Sequence, residues 1–404
     1  MYLLPRLQSL QLEAIAEILP EEILPSLSTL ITPSLLNLTE FGFGQTITHG
    51  ILSLCSLRNV RLKSCDADFS LEWVETSGHL DVISGCEVIR IGSTFQKGLL
   101  YKLATFPNLR EFEGVSDTFT GRLPRGAFGK LRKFEYFAPE SSSFLHFLQQ
   151  LPDASSLSGI SFLAEEETPR LEDGRDVAET LFQCPQLRPE IITRFHIALA
   201  APLDLRMMSD TPSDAPWMSL FARCINMEWI VISLDRPLVI TDAEFEQIVC
   251  NWHRLEMMET FSCRGNFREP IQPLFSFGKI NALVKHCPGL NTLTGFIDTT
   301  DLTNSTLEKI TSHNDYVDGL YFVTCSIVSD AELVARHLYA WFPNLAFANG
   351  THHLCPCQLG PGTNVETLEA VISLVWDLVD EELKKLQGIS EPEPVAGNSD
   401  DEGE

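Results

Sequence analysis

Residues 131–136, which read LRKFEY, decide the fold of this chain. They have the form Leu-x-x-apolar-x-apolar, and alternate apolar residues in so short a segment predict a strand that buries one face. The same form returns at Leu7-x-x-Leu10-x-Leu12, Leu57-x-x-Val60-x-Leu62 and Cys86-x-x-Ile89-x-Ile91, and in shorter form at Leu290-x-x-Leu293 and Leu345-x-x-Ala348. The first apolar positions number thirteen, at residues 7, 38, 57, 86, 109, 131, 157, 192, 227, 258, 290, 320 and 345.

Helices are predicted between these strands. An apolar residue, a proline and then a leucine precede several strands, as at Phe106-Pro107-Asn108-Leu109, Cys287-Pro288-Gly289-Leu290 and Phe342-Pro343-Asn344-Leu345. Proline cannot continue a helix, so each helix is expected to end there. Three capping boxes open apolar-periodic runs, at Thr241-x-x-Glu244, Ser329-x-x-Glu332 and Thr363-x-x-Glu366. The first of these runs places one apolar stripe on its helix, formed by Phe245, Ile248, Val249 and Trp252.

A strand and a helix that alternate at a repeating interval are typical of leucine-rich repeats. We therefore predict an α/β leucine-rich-repeat solenoid, or horseshoe, with parallel strands on the concave face and helices on the convex face. Residues 1–388 would form about thirteen irregular units, with a last helix at about 365–386 as a C-terminal cap. Residues 389–404 are rich in Pro, Gly and acids, which predicts a disordered acidic tail.

Three stretches resemble the repeats of fungal, basidiomycete-type F-box/leucine-rich-repeat proteins: ITDAEFEQIVCNWHRLEMMETFSCRG at 240–265, LVKHCPGLNTL at 283–293 and WFPNL at 341–345. The resemblance covers the repeat region only. In that family an N-terminal F-box binds the Skp adaptor of a cullin ubiquitin ligase, and the repeats hold the substrate. No F-box is recognisable ahead of the repeats here, so the Skp–cullin machinery is expected as a partner only if an F-box lies upstream.

Composition excludes several classes of function. The formal net charge of −26 at pH 7 opposes binding to nucleic acid and to anionic membrane surfaces. The sequence contains no stretch of about 18 uncharged apolar residues, so no membrane span is predicted. No signal peptide is recognisable. The expected location is the cytoplasm or nucleus. Many of the eleven cysteines occupy repeat core positions, so we expect buried, reduced thiols.

One residue of each phrase should point to the concave face. In order, this column is predicted to be Gln11, Gly42, Arg61, Arg90, Glu113, Glu135, Ser161, His196, Val231, Ser262, Thr294, Thr324 and Asn349. Its charged part would form a patch that binds a partner, with candidate residues Asn59, Arg61, Lys63, Arg90, Glu111, Glu113, Lys133 and Glu135. Alternatively, the opposite charges pair across strands on a solvated face and each pair contributes little.

Evidence for chemistry is sparse. A tight cluster in one loop is a weak candidate for a zinc site, formed by His352, His353, Cys355 and Cys357. No nucleotide-binding or nucleophile motif is present, so neither an enzyme nor a cofactor is predicted. Ser399 precedes three acids, which makes it a phosphorylation candidate. The predicted function is a non-catalytic protein-binding repeat module, resembling the substrate-recognition part of an F-box ubiquitin ligase. An F-box-independent repeat scaffold and a metal-dependent protein are the alternatives.

Overall fold

The strands of this computed structural model form one parallel sheet in which every strand pairs with the next in sequence. The structure describes residues 9–11, 40–43, 62–67, 80–95, 97–116, 121–138, 141–151, 156–164, 178–179, 181–183, 187–199, 213–234, 238–262, 275–295, 297, 299, 302–317, 319–323, 330–351 and 365–389. Thirteen strands are described. They are β1 Ser9–Gln11, β2 Glu40–Phe43, β3 Ser64–Ala67, β4 Val88–Phe95, β5 Glu111–Ser116, β6 Lys133–Ala138, β7 Gly159–Ala164, β8 Arg194–Leu199, β9 Trp229–Leu234, β10 Met257–Ser262, β11 Thr292–Gly295, β12 Gly319–Val323 and β13 Phe347–Thr351.

Helices lie between many of the successive strands. In the described residues they are α1 Leu80–Ile83, α2 Lys97–Leu103, α3 Ser141–Gln150, α4 Ala215–Met218, α5 Asp242–Val249, α6 Phe277–His286, α7 Asn304–Leu307, α8 Ala331–Trp341 and α9 Val365–Leu386, with 3₁₀ turns at Pro189–Ile191 and Ser219–Arg223. A parallel strand cannot follow its neighbour without a crossover connection, and α1 to α8 lie in such crossovers, whereas α9 follows the last strand. The predicted α/β leucine-rich-repeat solenoid is confirmed.

A single row of side chains across the sheet shows why the strands stack in this register. The paired residues of neighbouring strands are apolar and at most 2% exposed: Cys65, Ile89, Phe112, Phe134, Ile160, Phe195, Ile230, Met258, Leu293 and Leu320. A shift of any strand by one residue would turn its apolar side chain to the opposite face. Burial of this row therefore fixes the register.

Aromatic rings fill the core around β6. Phe134 is fully buried, and its ring centroid lies 4.2 Å from that of Phe147 in α3 and 5.9 Å from that of Phe112 in β5. Phe144 of α3 in turn stacks on Phe162 of β7 with 4.3 Å between centroids. One helix thereby contacts the side chains of neighbouring repeats, which is how a solenoid core continues from unit to unit.

The predicted helix signals can be compared with the helix ends. At α5, the Glu244 amide donates to Thr241 Oγ1 at 3.3 Å and the Thr241 amide donates to Glu244 Oε2 at 3.0 Å, so this capping box is confirmed. The box at Ser329 is wrong, because Asp330 is the N-cap of α8 and accepts from the Leu333 amide at 3.0 Å. The carboxylate one residue later is an equally good cap. Thr363 lies outside the described residues.

Buried polar contacts link neighbouring repeats. The Trp252 indole donates to the Phe221 carbonyl at 3.0 Å. Asn314 Nδ2 donates to the carbonyls of Cys287 and Leu290 at 3.2 and 3.1 Å. A buried backbone carbonyl without a donor is costly, so these side chains stabilise the turns they reach.

Candidate functional site

The strand positions that alternate with the buried row define the open face of the sheet. Its central column, traced through the strand pairing, is Gln11, Gly42, Asp66, Arg90, Glu113, Glu135, Ser161, His196, Val231, Glu259, Thr294, Tyr321 and Asn349. Ten of these thirteen are the residues predicted from the sequence. Successive members lie about 4.8 Å apart, so they can act together on one bound surface.

Three predicted members of the column are wrong. Asp66, and not Arg61, pairs with Arg90, because the buried start of this repeat is Leu62 and the strand follows it. Arg61 and Asn59 lie outside the described residues. The exposed Lys63 directly precedes β3, and its carbonyl accepts from the Glu87 and Val88 amides at 2.6 and 3.2 Å. The predicted pair of adjacent arginines is therefore replaced by an aspartate beside an arginine.

The other two corrections lie in the C-terminal half. Glu259 takes the position predicted for Ser262, and Tyr321 takes the position predicted for Thr324. In both repeats the buried first apolar position lies three residues earlier than predicted, at Leu255 and Val317. The correction moves a carboxylate into a part of the column where all the predicted residues, from Val231 to Asn349, were uncharged.

Charges near the N-terminal end of the described face pair with one another. We call this group the charged zone; it consists of Arg90, Glu111, Glu113, Lys133 and Glu135. Arg90 Nε lies 3.3 Å from Glu113 Oε2, and Arg90 Nη2 lies 3.9 Å from Glu111 Oε2. Lys133 Nζ lies 3.5 Å from Glu135 Oε2. These side chains keep about a fifth to two-fifths of their exposure, so each pair is worth about 1 kcal/mol or less. Whether these residues contact a partner stays a prediction.

A hydroxyl and an imidazole meet in the middle of the column. Ser161 Oγ and His196 Nδ1 are hydrogen-bonded at 3.1 Å. Burial lowers the pKa of His196, and the Glu135 carboxylate opposes that shift. The imidazole is therefore neutral at pH 7. In the column, Ser161 lies between Glu135 and His196. A nucleophile relay would instead place the histidine between the serine and the acid.

A second group on the face has a different composition. We call it the aromatic zone; it consists of Arg194, Trp229, Val231, Met257 and Glu259. The Arg194 guanidinium lies 5.6 Å from the centre of the Trp229 ring, a cation–π contact. Val231 is buried, whereas Trp229, Met257 and Glu259 keep part of their surface exposed. Desolvation by burial raises the pKa of Glu259. Tryptophan, arginine and methionine are enriched in protein interfaces.

Sequence reasoning missed most of the aromatic zone. Of its five members only Val231 was predicted to lie in the column. Arg194, Trp229 and Met257 begin their strands and form a parallel column one step before the central one. Arg194 and Trp229 could have been found by counting two residues back from the predicted His196 and Val231. Met257 could not, because it lies five residues before the predicted Ser262.

The remaining sequence candidates are a metal site and a phosphorylation site. The cluster His352, His353, Cys355 and Cys357 and the phosphorylation candidate Ser399 lie outside the described residues. Within the part of the chain that the structure describes, no three His, Cys, Asp or Glu side chains come together as metal ligands would. None of the described helices is both long enough and apolar enough to cross a membrane.

Comparison with known proteins gives structural likenesses only. No family model and no curated protein matches the chain. The chain is similar to the leucine-rich-repeat-containing protein LegL7 from Legionella pneumophila, at 10% identity, with a TM-score of 0.37, over 84% of this chain and 95% of that one. It is also similar to a chain in the complex of Rad7 and Elc1 from yeast, at 12% identity, with a TM-score of 0.40, over 86% and 88% of the two chains. Both scores are below 0.5, so the fold is assigned from the strand pairing alone.

Proposed function

We propose that this chain is a non-catalytic protein-binding repeat module whose partner binds the open face of the sheet. The observation that carries the proposal is the aromatic zone, where a partly exposed Trp229 and Met257 lie side by side on strands β9 and β10. Large apolar side chains left in water on a rigid sheet gain free energy when a partner covers them.

The size of the face supports the same proposal. Thirteen strands in one sheet, spaced about 4.8 Å apart and each presenting about 15 Å of its length, form a strip on the order of 900 Å². A protein interface of standard size buries about 800 Å² on each partner. The parallel strands are held by buried residues on their other side, so this surface is preformed and little ordering is required on binding.

The experiment compares two aromatic substitutions in the full chain. Trp229→Ala removes the ring from the open face, and Tyr316→Ala removes a ring that is 71% exposed on the loop before β12. Each tagged variant is expressed in its native cells, and proteins that co-purify are quantified by mass spectrometry. We expect Trp229→Ala to lower recovery of the specific partner at least about tenfold, as for a central interface residue. If Tyr316→Ala lost the partner while Trp229→Ala recovered it fully, the binding surface would lie elsewhere.

A finer assignment follows from the resemblance of the repeats. We propose that the module recognises substrates for an F-box-type ubiquitin ligase in the cytoplasm or nucleus. Stoichiometric co-purification of Skp and cullin subunits would support this role. A folded chain that recovers its partner without these subunits would instead be an F-box-independent scaffold.

A further inference from the structure

The acidic residues of the open face have two different kinds of surroundings. In the charged zone, Glu111 and Glu113 share Arg90, and Glu135 lies 3.5 Å from Lys133. Glu259 lies in the same central column, three strands beyond Ser161. Among the residues that the structure describes, no hydrogen bond or ion pair reaches its carboxylate. The acidic residues of the charged zone thus have cationic partners on the same face, whereas Glu259 has none among the described residues.

The strand register shows what surrounds Glu259. Its cross-strand neighbours are Val231 on β9 and Thr294 on β11, and both are buried. The residues two positions away along β10 are Met257 and Phe261, which are also uncharged. An ionised carboxylate that has lost part of its water to uncharged neighbours carries a free-energy cost until a cation pairs with it.

Within the described part of the chain, the open-face cation nearest in register to Glu259 is Arg194, and it does not pair with this carboxylate. Arg194 lies on β8, two strands from β10, which corresponds to about 10 Å in a sheet. Its guanidinium lies over Trp229 and remains exposed to water. Because this cation is hydrated and stacked on a ring, it loses little free energy without a carboxylate. The partly desolvated Glu259, in contrast, carries a free-energy cost without a cation.

The surface beside Glu259 suits one type of side chain. Met257 lies two residues before it on the same strand, and Trp229 pairs with Met257 on the next strand. Lysine and arginine have an apolar stem and a cationic head, so the stem can cover these two side chains while the head reaches a carboxylate. Other residue types satisfy only one of the two requirements.

We propose that the partner inserts a lysine or arginine whose head group pairs with Glu259 and whose stem lies against Met257 and Trp229. This inference deepens the proposed function and rests on it, because it requires that a protein bind the open face. The formal charge of −26 adds a long-range attraction for a basic partner segment, which speeds association.

The test uses a display library of random peptides selected on the immobilised full chain. We expect the selected peptides to be enriched in lysine or arginine beside apolar residues. Their affinity should fall about tenfold or more with Glu259→Gln, because the substitution removes a partly desolvated charge pair. The matched control is Glu332→Gln, which removes an exposed carboxylate on helix α8 away from the open face, and a change of less than about twofold is expected there.

Charge reversal adds a second arm. Peptides in which the selected basic residue is replaced by glutamate should bind Glu259→Lys better than they bind the unmodified chain. Circular dichroism and thermal melts verify that every variant is folded.

The outcomes separate this inference from the proposed function. Peptides that Trp229→Ala blocks but Glu259→Gln leaves unchanged would overturn the role of Glu259 and leave the open-face module intact. Peptides unaffected by both substitutions would show that the binding surface lies elsewhere, and a library without any binder would also count against the proposal.

Discussion

Replacement of Phe134 by alanine should destabilise the repeats around β6 more than almost any other single change. The ring is fully buried and lies between strands β5 and β7 and helix α3. Its centroid is 4.2 Å from Phe147, 5.4 Å from Tyr136 and 5.9 Å from Phe112. Alanine would leave a cavity bounded by rigid rings, which cannot close by collapse.

The magnitude follows from these contacts. Truncation of a buried phenylalanine costs about 3–5 kcal/mol. Aromatic pairs contribute about 0.5–1.5 kcal/mol each beyond the area that they bury, and Phe134 has several. We therefore expect the upper part of that range, about 4–5 kcal/mol. In a solenoid each repeat contacts only its neighbours, so the effect should concentrate in β5, β6 and β7.

Hydrogen exchange measured by mass spectrometry can locate this effect. A loss of about 4 kcal/mol would increase local opening about a thousandfold. The matched control is Phe137→Ala on the same strand, because Phe137 points to the open face and is only partly buried. Its cost should be about 1 kcal/mol or less. Equal exchange in the two variants would contradict the assignment of inner and outer faces.

Three further predictions concern buried polar groups and thiols. Glu259→Gln should stabilise the isolated chain by about 1 kcal/mol or less at neutral pH. Burial raises the pKa of Glu259 in the folded state above its value in the unfolded state. The ionised carboxylate therefore lowers the free energy of unfolding at pH values above the folded-state pKa, and this cost disappears as the pH falls below the unfolded-state pKa. Urea unfolding at several pH values checks this, and an equal gain at acidic pH would refute it. Asp214→Ala should cost about 3 kcal/mol, because the buried Trp217 indole and the partly buried Val239 amide, which donate to its carboxylate at 2.8 and 2.7 Å, would be left without acceptors. The exposed Asp315→Ala should change the unfolding free energy by less than about 0.5 kcal/mol, and similar losses for both would contradict the network. Burial raises the pKa of three thiols to about 12, those of Cys86, Cys224 and Cys287. In native chain treated with iodoacetamide they should stay unlabelled while the partly exposed Cys250 reacts, and rapid labelling of Cys86 would show that its repeat is open.

The fold was predictable from the sequence because a short apolar phrase recurs with enough regularity. The predicted apolar stripe illustrates this: Phe245, Ile248 and Val249 of α5 are buried, and so is Trp252, which lies just beyond the end of the helix. The prediction that helices end before proline is also confirmed. Helix α6 ends before Pro288 and α8 before Pro343, and the leucines that follow are buried. Local propensity and the global fold agree at these places.

The register was mispredicted at three repeats, and the repeat of β10 shows how a three-residue error arises. Apolar residues stand three apart at Leu255, Met258 and Phe261, so the phrase can start at either of the first two and satisfy the same pattern. Only the pairing of Met258 with Ile230 and Leu293 decides between them. A periodic pattern carries no information about its own offset, and the neighbouring strand supplies it.

The candidate site depended on that offset and on pairing between side chains. The sequence placed Arg90 and Glu113 on one face, but it left open whether the two charges would pair with each other or with a partner. Their 3.3 Å contact depends on side-chain rotamers, which residue types alone do not specify. Glu259 was not predicted to lie in the column, because a three-residue error in register placed Ser262 there.

Site-specific photocrosslinking in cells can show directly whether a partner protein binds the open face. A photoreactive amino acid replaces either Thr292, on the open face beside Met257, or Gln247, which is exposed on helix α5. We expect covalent adducts with a partner protein from position 292 and none from position 247. Adducts from position 247 alone would contradict this expectation.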